Sequence, residues 1–182
     1  MVLSILQKRR SIRQFQNKEI EKKKLDQIIE ALLRSPSSRS LNPWEFIVVT
    51  DRKLLAVLSE AKPHGSAFLK NAPLGIIVCA DPKKSDVWIE DCAIASIIGQ
   101  LTAESLGLGS CWIQIRDRWH AEGKPAEDYI KAYLDIPAHI KIESILAVGY
   151  ADEKKRPHPA ETLEYKKIHH NYYMITESPT ED

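Results

Sequence analysis

Between residues 21 and 34, Leu25, Ile28, Ile29, Leu32 and Leu33 recur at i, i+3, i+4, i+7 and i+8, while Lys22, Lys23, Lys24, Glu30 and Arg34 take other positions. That spacing predicts an amphipathic surface helix over 21–34, ended by Pro36. Two short β-branched runs, EFIVVT at 45–50 and LGIIVCA at 74–80, predict buried strands, the second framed by Pro73 and by Asp81 and Pro82. Residues 52–60 and 66–71 predict short helices between them.

The stretch from 87 to 106 differs in kind. From Cys92 to Leu101 (CAIASIIGQL) apolar residues occupy nearly every helical face, interspersed with Ala93, Ala95, Ser96 and Gly99, so the helix must be covered all round. A chain of 182 residues encloses a helix completely only with difficulty. The pattern therefore predicts that one face meets a second subunit across closely packed small residues. Gly107 and Gly109 are expected to cap this helix, followed by a strand over 110–115 (SCWIQI), a helix over 125–134 and a strand over 142–150 (IESILAVGY). From 151 onward only scattered anchors, Leu163, Tyr165, Ile168, Tyr172 and Tyr173, interrupt a charged tail. It is expected to drape over a neighbouring surface and to fray beyond Thr176. Strands alternating with helices predict a layered α and β sandwich on a mixed sheet.

Composition narrows the function classes. Hydrophobic residues are 43% and charged residues 28% of the chain, the balance of a protein that buries a core. At roughly 150 residues per domain the length favours one domain, expected over 1–175 with 176–182 as a tail. Lys+Arg 26 against Asp+Glu 25 leaves a charge of +1, so no global field draws the chain to nucleic acid or to an anionic membrane. No apolar run approaches the roughly 18 residues of a membrane span, and residues 1–10 place charge after their apolar stretch, the reverse of a signal peptide. The expected compartment is the cytoplasm. Cys79, Cys92 and Cys111 have no C-x-x-C spacing and lie in apolar segments, which predicts buried free thiols. The six histidines show no ligand spacing, so no metal site is expected.

Few motifs carry chemistry. The GLG at 107–109 follows a helix and lacks a third glycine, which excludes a dinucleotide fingerprint, and neither a phosphate loop nor a G-x-S-x-G elbow is present. Lys8, Arg9, Arg10, Ser11 and Arg13 place four cations and a hydroxyl within six residues. Guanidinium forks and a serine suit a phosphate; a solvated basic face is the plainer alternative. At 36–44, PSSRSLNPW is an ordinary loop by pattern, whose hydroxyl and amide groups would also suit a polar ligand.

The pieces RRSIRQF (9–15), PSSRSLNPWEF (36–46), NAP (71–73), EDCAIASIIGQLTAESLGLGSCWI (90–113) and ILAVGYADEKK (145–155), in this order, resemble the FMN-dependent nitroreductase family over residues 3–173. The resemblance implies an α+β layered sandwich, its mixed central sheet flanked by helices. It also implies an obligate homodimer with FMN at the interface and a C-terminal segment wrapping the partner. The implied activity is NAD(P)H-dependent reduction of nitro compounds, quinones or related small-molecule acceptors by a ping-pong mechanism, with the flavin rather than an acid-base side chain carrying the chemistry.

By the same resemblance Arg9 and Ser11 would hold the FMN phosphate and ribityl end with Arg10 beside them, and Arg13 would approach flavin N1 and O2. Pro36, Ser37 and Ser38 would reach the flavin from the other subunit. Trp112, Ile113 and Gln114 would supply an N–H to N5, and Gly149 with Lys154, Lys155 and Arg156 would form a second phosphate region. Ser40 and Asn42 stand where the family carries Asn and Gln. Ala160 and Glu161 stand near the family's later arginine, which Lys155 or Arg156 would replace. A flavin carrier or sensor with little turnover, and a specialised chemistry such as reductive dehalogenation, are the alternatives.

Overall fold

The strands Trp44–Val49 (β1), Leu74–Ala80 (β2), Gly109–Gln114 (β3) and Lys141–Gly149 pair in one sheet. This is a computed structural model of the chain, and it describes residues 1–173; the expected fraying beyond Thr176 lies outside the described residues. A hairpin absent from the sequence expectations, Trp119–Ala121 (β4) and Lys124–Pro125 (β5), makes Lys141–Gly149 the sixth strand, β6. The helices are Val2–Lys8 (α1), Lys22–Leu33 (α2), Arg52–Leu58 (α3), Trp88–Ser105 (α4) and Ala126–Leu134 (α5). Residues 67–71, expected as a short helix, form a 3-10 turn.

The sheet order is β1-β2-β6-β3, and every pair of these strands is antiparallel. The expected mixed character is confined to a parallel bridge between Ser11 and Ser110 at the outer edge of β3. β2 is buried along its whole length, so both of its faces must be covered, as its unbroken apolar run requires. Leu74, Ile76, Val78 and Ala80 pack with Ile28 and Leu32 of α2 and Cys92, Ala95 and Ala103 of α4, while Ile77 and Cys79 face Leu55 of α3 and Ile130 of α5. Period-two alternation sends neighbouring residues into the two cores. Each fully buried Leu or Ile contributes about 1.5–3 kcal/mol.

α4 separates the two halves of the expectation drawn from it. Its small and polar residues Ala95, Ser96, Gly99, Gln100 and Ala103 are buried, and a Cβ on Gly99 would lie 2.9 Å from Leu32 Cδ2 and 3.2 Å from Leu146 Cδ1. The small residues therefore bring α4 close to its own α2 and sheet, not to a second subunit. What faces outward is larger: Ile94 and Ile97 are 39% and 38% exposed. Leu33, expected on the inner stripe of α2, is also exposed.

The end of α4 corrects a second expectation. Gly107 alone takes the left-handed φ, +74°; its N–H donates to Glu104 O (3.1 Å) and the Leu108 N–H to Ala103 O (2.9 Å), a Schellman cap. Gly109 instead opens β3, and a Cβ there would sit 2.7 Å from Ile12 Cγ1. Gly109→Ala is expected to push Ile12 off β3 and to destabilise the fold by about 1–3 kcal/mol; a urea midpoint unchanged from that of the native chain would exclude this close approach.

Candidate functional site

Residues 9–16 have no regular structure of their own and are held by two neighbours. The Ile12 N–H donates to Ser110 O (3.0 Å), and the Gln16 N–H to Tyr150 O (2.9 Å). From the other side the Glu153 carboxylate accepts the N–H groups of Arg13 (2.5 Å) and Gln14 (3.2 Å), and Lys155 Nζ donates to Ser11 O (2.7 Å). The Arg10 guanidinium donates to the carbonyl of Arg156. RRSIR and ADEKK, 140 residues apart, thus form one unit beside the end of α4.

That unit borders a 430 Å³ groove lined by Lys8, Arg10, Lys154 and Lys155, with Gly107 and Gly109 in its floor and Glu104 and Glu153 as its carboxylates. Burial raises the Glu104 carboxyl above its ordinary value, opposed by Arg9 and Lys8. Arg9 is thus a neighbour of Glu104 and flanks the groove, which Lys8 and Arg10 line. Arg13 lies further along the β3 edge: its guanidinium is 5.8 Å from the centroid of the Phe68 ring. Burial pushes the Cys111 thiol up, with Arg13 the foremost cation opposing it. The cations with phosphate-like spacing in sequence are thus divided in space between two stations.

Burial alone would raise the Glu153 carboxyl, but the Arg13 and Gln14 N–H groups and Lys155 outweigh it and hold the carboxyl below the ordinary range. Its contribution to stability is therefore complete above the ordinary carboxylate pKa and disappears as pH falls through the depressed value. The stability difference between the native chain and Glu153→Gln is expected to shrink steadily as urea titrations move from neutral pH to pH ~3. A difference independent of pH would mean that the carboxylate holds nothing.

Gly149 is placed by packing: a Cβ there would lie 2.5 Å from Pro73 Cδ and 2.9 Å from Phe15 Cδ1. It keeps β6, the Asn71–Pro73 turn and the segment ending at Phe15 in register. Arg156 contributes its carbonyl to Arg10, whereas Lys155 lines the groove, its Nζ donating to Ser11 O and pairing with Glu153 at 3.3 Å.

β3 ends the sheet, and its residues alternate between partners. Gly109, Cys111 and Ile113 turn their backbone groups to β6, whereas Ser110, which binds Ile12, and with it Trp112 and Gln114 turn theirs to the open side. Ile113 is thereby removed from the set able to offer an N–H, and Trp112 and Gln114 remain. Their side chains are tied to each other: Trp112 Nε1 donates to Gln114 Oε1 (2.9 Å) and Gln114 Nε2 to Arg116 O (3.1 Å). Behind them Arg116 Nε and Glu143 Oε2 approach to 3.0 Å off the hydrogen-bond direction, an electrostatic contact only. Burial raises the Glu143 carboxyl in spite of Gln114 and Arg116.

The 36–44 loop lies elsewhere. The Ser38 N–H donates to Asp91 Oδ1 (2.8 Å), and Ser85 Oγ to Asp91 Oδ2 (3.1 Å), Asp91 being only 2% exposed in the first turn of α4. Ser37 Oγ and Asn42 bind each other, the Asn42 N–H at 2.9 Å. Arg39, Ser40 and Asn42 have φ of 52°, 53° and 46°. Three such residues together store strain of the kind that clusters at ligand clamps. From Asp91 to Glu104 the helix rises about 20 Å, at about 1.5 Å per residue. Within one protomer the Ser37 and Ser38 loop and the Arg9 groove stand at opposite ends of α4.

The sequence model of the Nitroreductase family matches this chain over residues 6–62 and 55–150. The chain belongs to the nitroreductase family. An FMN-dependent nitroreductase of Clostridium difficile superposes with a TM-score of 0.93 at 48% identity, over 94% of this chain and 99% of that one. A Methanothermobacter thermautotrophicus protein provisionally named NADH dehydrogenase/NAD(P)H nitroreductase is 36% identical over 92% of this chain and 85% of its own length. A Bacillus subtilis FMN reductase [NAD(P)H] is 27% identical over 96% and 77%.

Two residues of the candidate site carry no distinguishing mark in the sequence. Glu153 and Asp91 are the carboxylates that fasten RRSIR and the Ser38 loop. Both lie inside segments that carry the family pattern, ADEKK and EDCA, but a carboxylate accepting backbone N–H groups has no distinguishing spacing. The three cysteines are free and buried; burial pushes the Cys79 thiol up to about 12 and the Cys92 thiol further, which makes them poor nucleophiles. Among the described residues of this nitroreductase, no group of His, Cys, Asp or Glu could hold a metal ion, and no helix is long and apolar enough to cross a membrane.

Proposed function

We propose that this chain, as one domain over 1–175, is an FMN-dependent NAD(P)H oxidoreductase that works as a homodimer and reduces nitro compounds, quinones or similar small acceptors. The observation that carries the reading is the separation of the Arg9 groove from the Ser37 and Ser38 loop along α4. One head-to-tail flavin meets both only if a second copy lays its α4 antiparallel on the first. The outward Ile94 and Ile97 suit that contact. The α1 residues Val2 and Leu3 and the tail residues Leu163, Ile168, Tyr172 and Tyr173 are more than half exposed in the single chain, as expected of segments that wrap a partner.

The residues present fit FMN. Lys8, Arg10, Lys154 and Lys155 offer the phosphate a cationic groove whose lining glycines admit close approach, with Arg9 and Ser11 beside it; the open N–H groups of Trp112 and Gln114 line the strand edge beyond. FMN, when bound, supplies the two-electron chemistry, taking hydride from NAD(P)H and passing it to the acceptor. Arg13 would place positive charge where negative charge develops on the flavin on reduction. Pro36, Ser37, Ser38 and Ser40 of a second copy would close the site. The chain has no Rossmann fingerprint, so nicotinamide and acceptor would stack in turn on one exposed face of the flavin, and the cytoplasm, where both circulate, is its compartment.

The test is the absorption spectrum of the purified protein. A flavin spectrum, with FMN released on denaturation and parallel double-reciprocal lines for NADH and a quinone, is expected. Colourless protein that takes up no FMN would sink the reading; flavin without turnover would favour the carrier or sensor.

A further inference from the structure

A cavity of 560 Å³ lies next to the proposed flavin edge, outside the groove assigned to the flavin phosphate. It opens at Ile115 and Arg116, directly after the Trp112–Gln114 edge, and its apolar walls are Trp88 and Ile89 from the start of α4, Pro82, and Trp119 on the β4–β5 hairpin. Its size falls within the ordinary range of small-molecule sites, about 300–1,000 Å³.

Trp119 is 59% exposed, although the hairpin carrying it is anchored. The adjacent His120 stacks on Tyr129 of α5 with ring centroids 4.0 Å apart and bonds Glu60 O at 2.9 Å, and the Ala126 N–H donates to Arg118 O at 2.8 Å. The indole is therefore held out to solvent on a fixed support, an arrangement suited to stacking on a flat ligand.

The charges at this cavity are unevenly spent. Lys141 pairs with Glu127 at 2.6 Å, and Arg116 with Asp117 and Glu143. Arg118 has no carboxylate partner among the described residues; its guanidinium donates only to the Asp117 carbonyl at 2.8 Å. The nearby Lys62 amine is pushed down by burial and then by Arg118, and it too has no carboxylate partner among the described residues. Arg118 thus leaves positive charge on the lining of an aromatic slot, and the groove beside Arg9 does not need it.

We propose that this slot binds the electron acceptor, and that Trp119 with Arg118 selects a flat aromatic acceptor bearing a negative charge, such as a nitroarene carboxylate or a quinone sulfonate. The proposal rests on the reading of the chain as a flavin oxidoreductase. The ring lies between Trp119 and the Trp88 wall, the anionic group meets Arg118, and the reducible group points back toward Trp112 and Gln114.

The experiment uses the full-length holoprotein, 4-nitrobenzoate as the anionic probe and 4-nitrobenzyl alcohol as its neutral counterpart. Calorimetric binding to the oxidised protein and steady-state kinetics are read for Arg118→Gln, Arg118→Lys and Trp119→Ala. Arg118→Gln is expected to raise Kd and KM for 4-nitrobenzoate about tenfold, about 1.4 kcal/mol, in keeping with one charge-assisted contact. Both constants for the alcohol should hold within a factor of about two, and kcat likewise, since the contact is not made at the reacting group. Arg118→Lys should recover most of the loss, and Trp119→Ala should weaken both probes.

Equal effects of Arg118→Gln on the two probes, no effect of Arg118→Gln or of Trp119→Ala, or slower flavin reduction by NAD(P)H in stopped flow for Arg118→Gln would each overturn the proposal, the last by giving the slot to the nicotinamide nucleotide. Because probe binding is measured without turnover, failure of the slot remains distinct from failure of the oxidoreductase reading. In the latter case wild-type protein reduces neither probe, whatever Arg118 does.

Discussion

Ile97→Glu is expected to separate the dimer and strip the flavin in one step. Ile97 projects from α4 away from the sheet and is 38% exposed in the single chain, so a glutamate there costs the protomer fold little. In the pair it appears twice. At about 2 kcal/mol for each copy forced into an apolar contact, the dimer would lose about 4 kcal/mol, a thousandfold in its dissociation constant. Sedimentation velocity at micromolar concentration should then find monomer with the circular dichroism of the native chain, and the yellow colour should be gone because neither half of the site is complete alone. Ile97→Leu should behave as wild type. A yellow dimer carrying Ile97→Glu would show that α4 is not the contact surface, and with it would fall the pairing of the Arg9 groove with the Ser38 loop.

The second large effect separates two arginines that composition treats alike. Arg9 stands beside Glu104 at the end of α4, and Arg13 stands over Phe68 and beside Cys111 on the strand edge. Arg9→Ala is expected to weaken FMN binding by about 1.5–3 kcal/mol, the range for a hydrogen bond to a charged group, while the potential of bound flavin stays put. Arg13→Ala should act mainly on the reduced, more negative form and lower the potential, with a differential loss of about 1.4 kcal/mol appearing as about 30 mV for a two-electron couple. Potentiometric titration of both variants decides it. Equal potentials with equal losses of affinity would make Arg13 a second phosphate ligand or a surface residue.

Segments whose order is local were legible in the chain itself. The apolar period of 21–34, the β-branched runs at 45–50 and 74–80 and the long apolar stretch at 87–106 each specify an element within a residue or two of its observed bounds. A strand or helix of that strength needs only its own period to be recognised. The β4–β5 hairpin is missing from that reading because it is five residues of strand around Gly123, held by His120 on Tyr129 and not by any pattern of its own.

The site divides the same way. Residue types suited to a phosphate, and their order along the chain, are properties of sequence, so Arg9–Arg13 and the PSS loop could be named from it. Which of them share a location depends on contacts between residues 53 to 140 apart in the chain. Glu153 draws RRSIR against the tail, Asp91 pins Ser38 to the far end of α4, and the alternation of β3 opens Trp112 and Gln114 while it closes Ile113. Gly109 and Gly149 show the limit most sharply. In sequence a glycine reads as a turn or a cap, but these two are glycines because Ile12, Pro73 and Phe15, which arrive from elsewhere in the chain, leave no room for a Cβ. Composition and period decided which elements form and what chemistry they carry; long-range packing decided which of those groups meet, because side-chain volume acts only after the chain has brought its distant parts together.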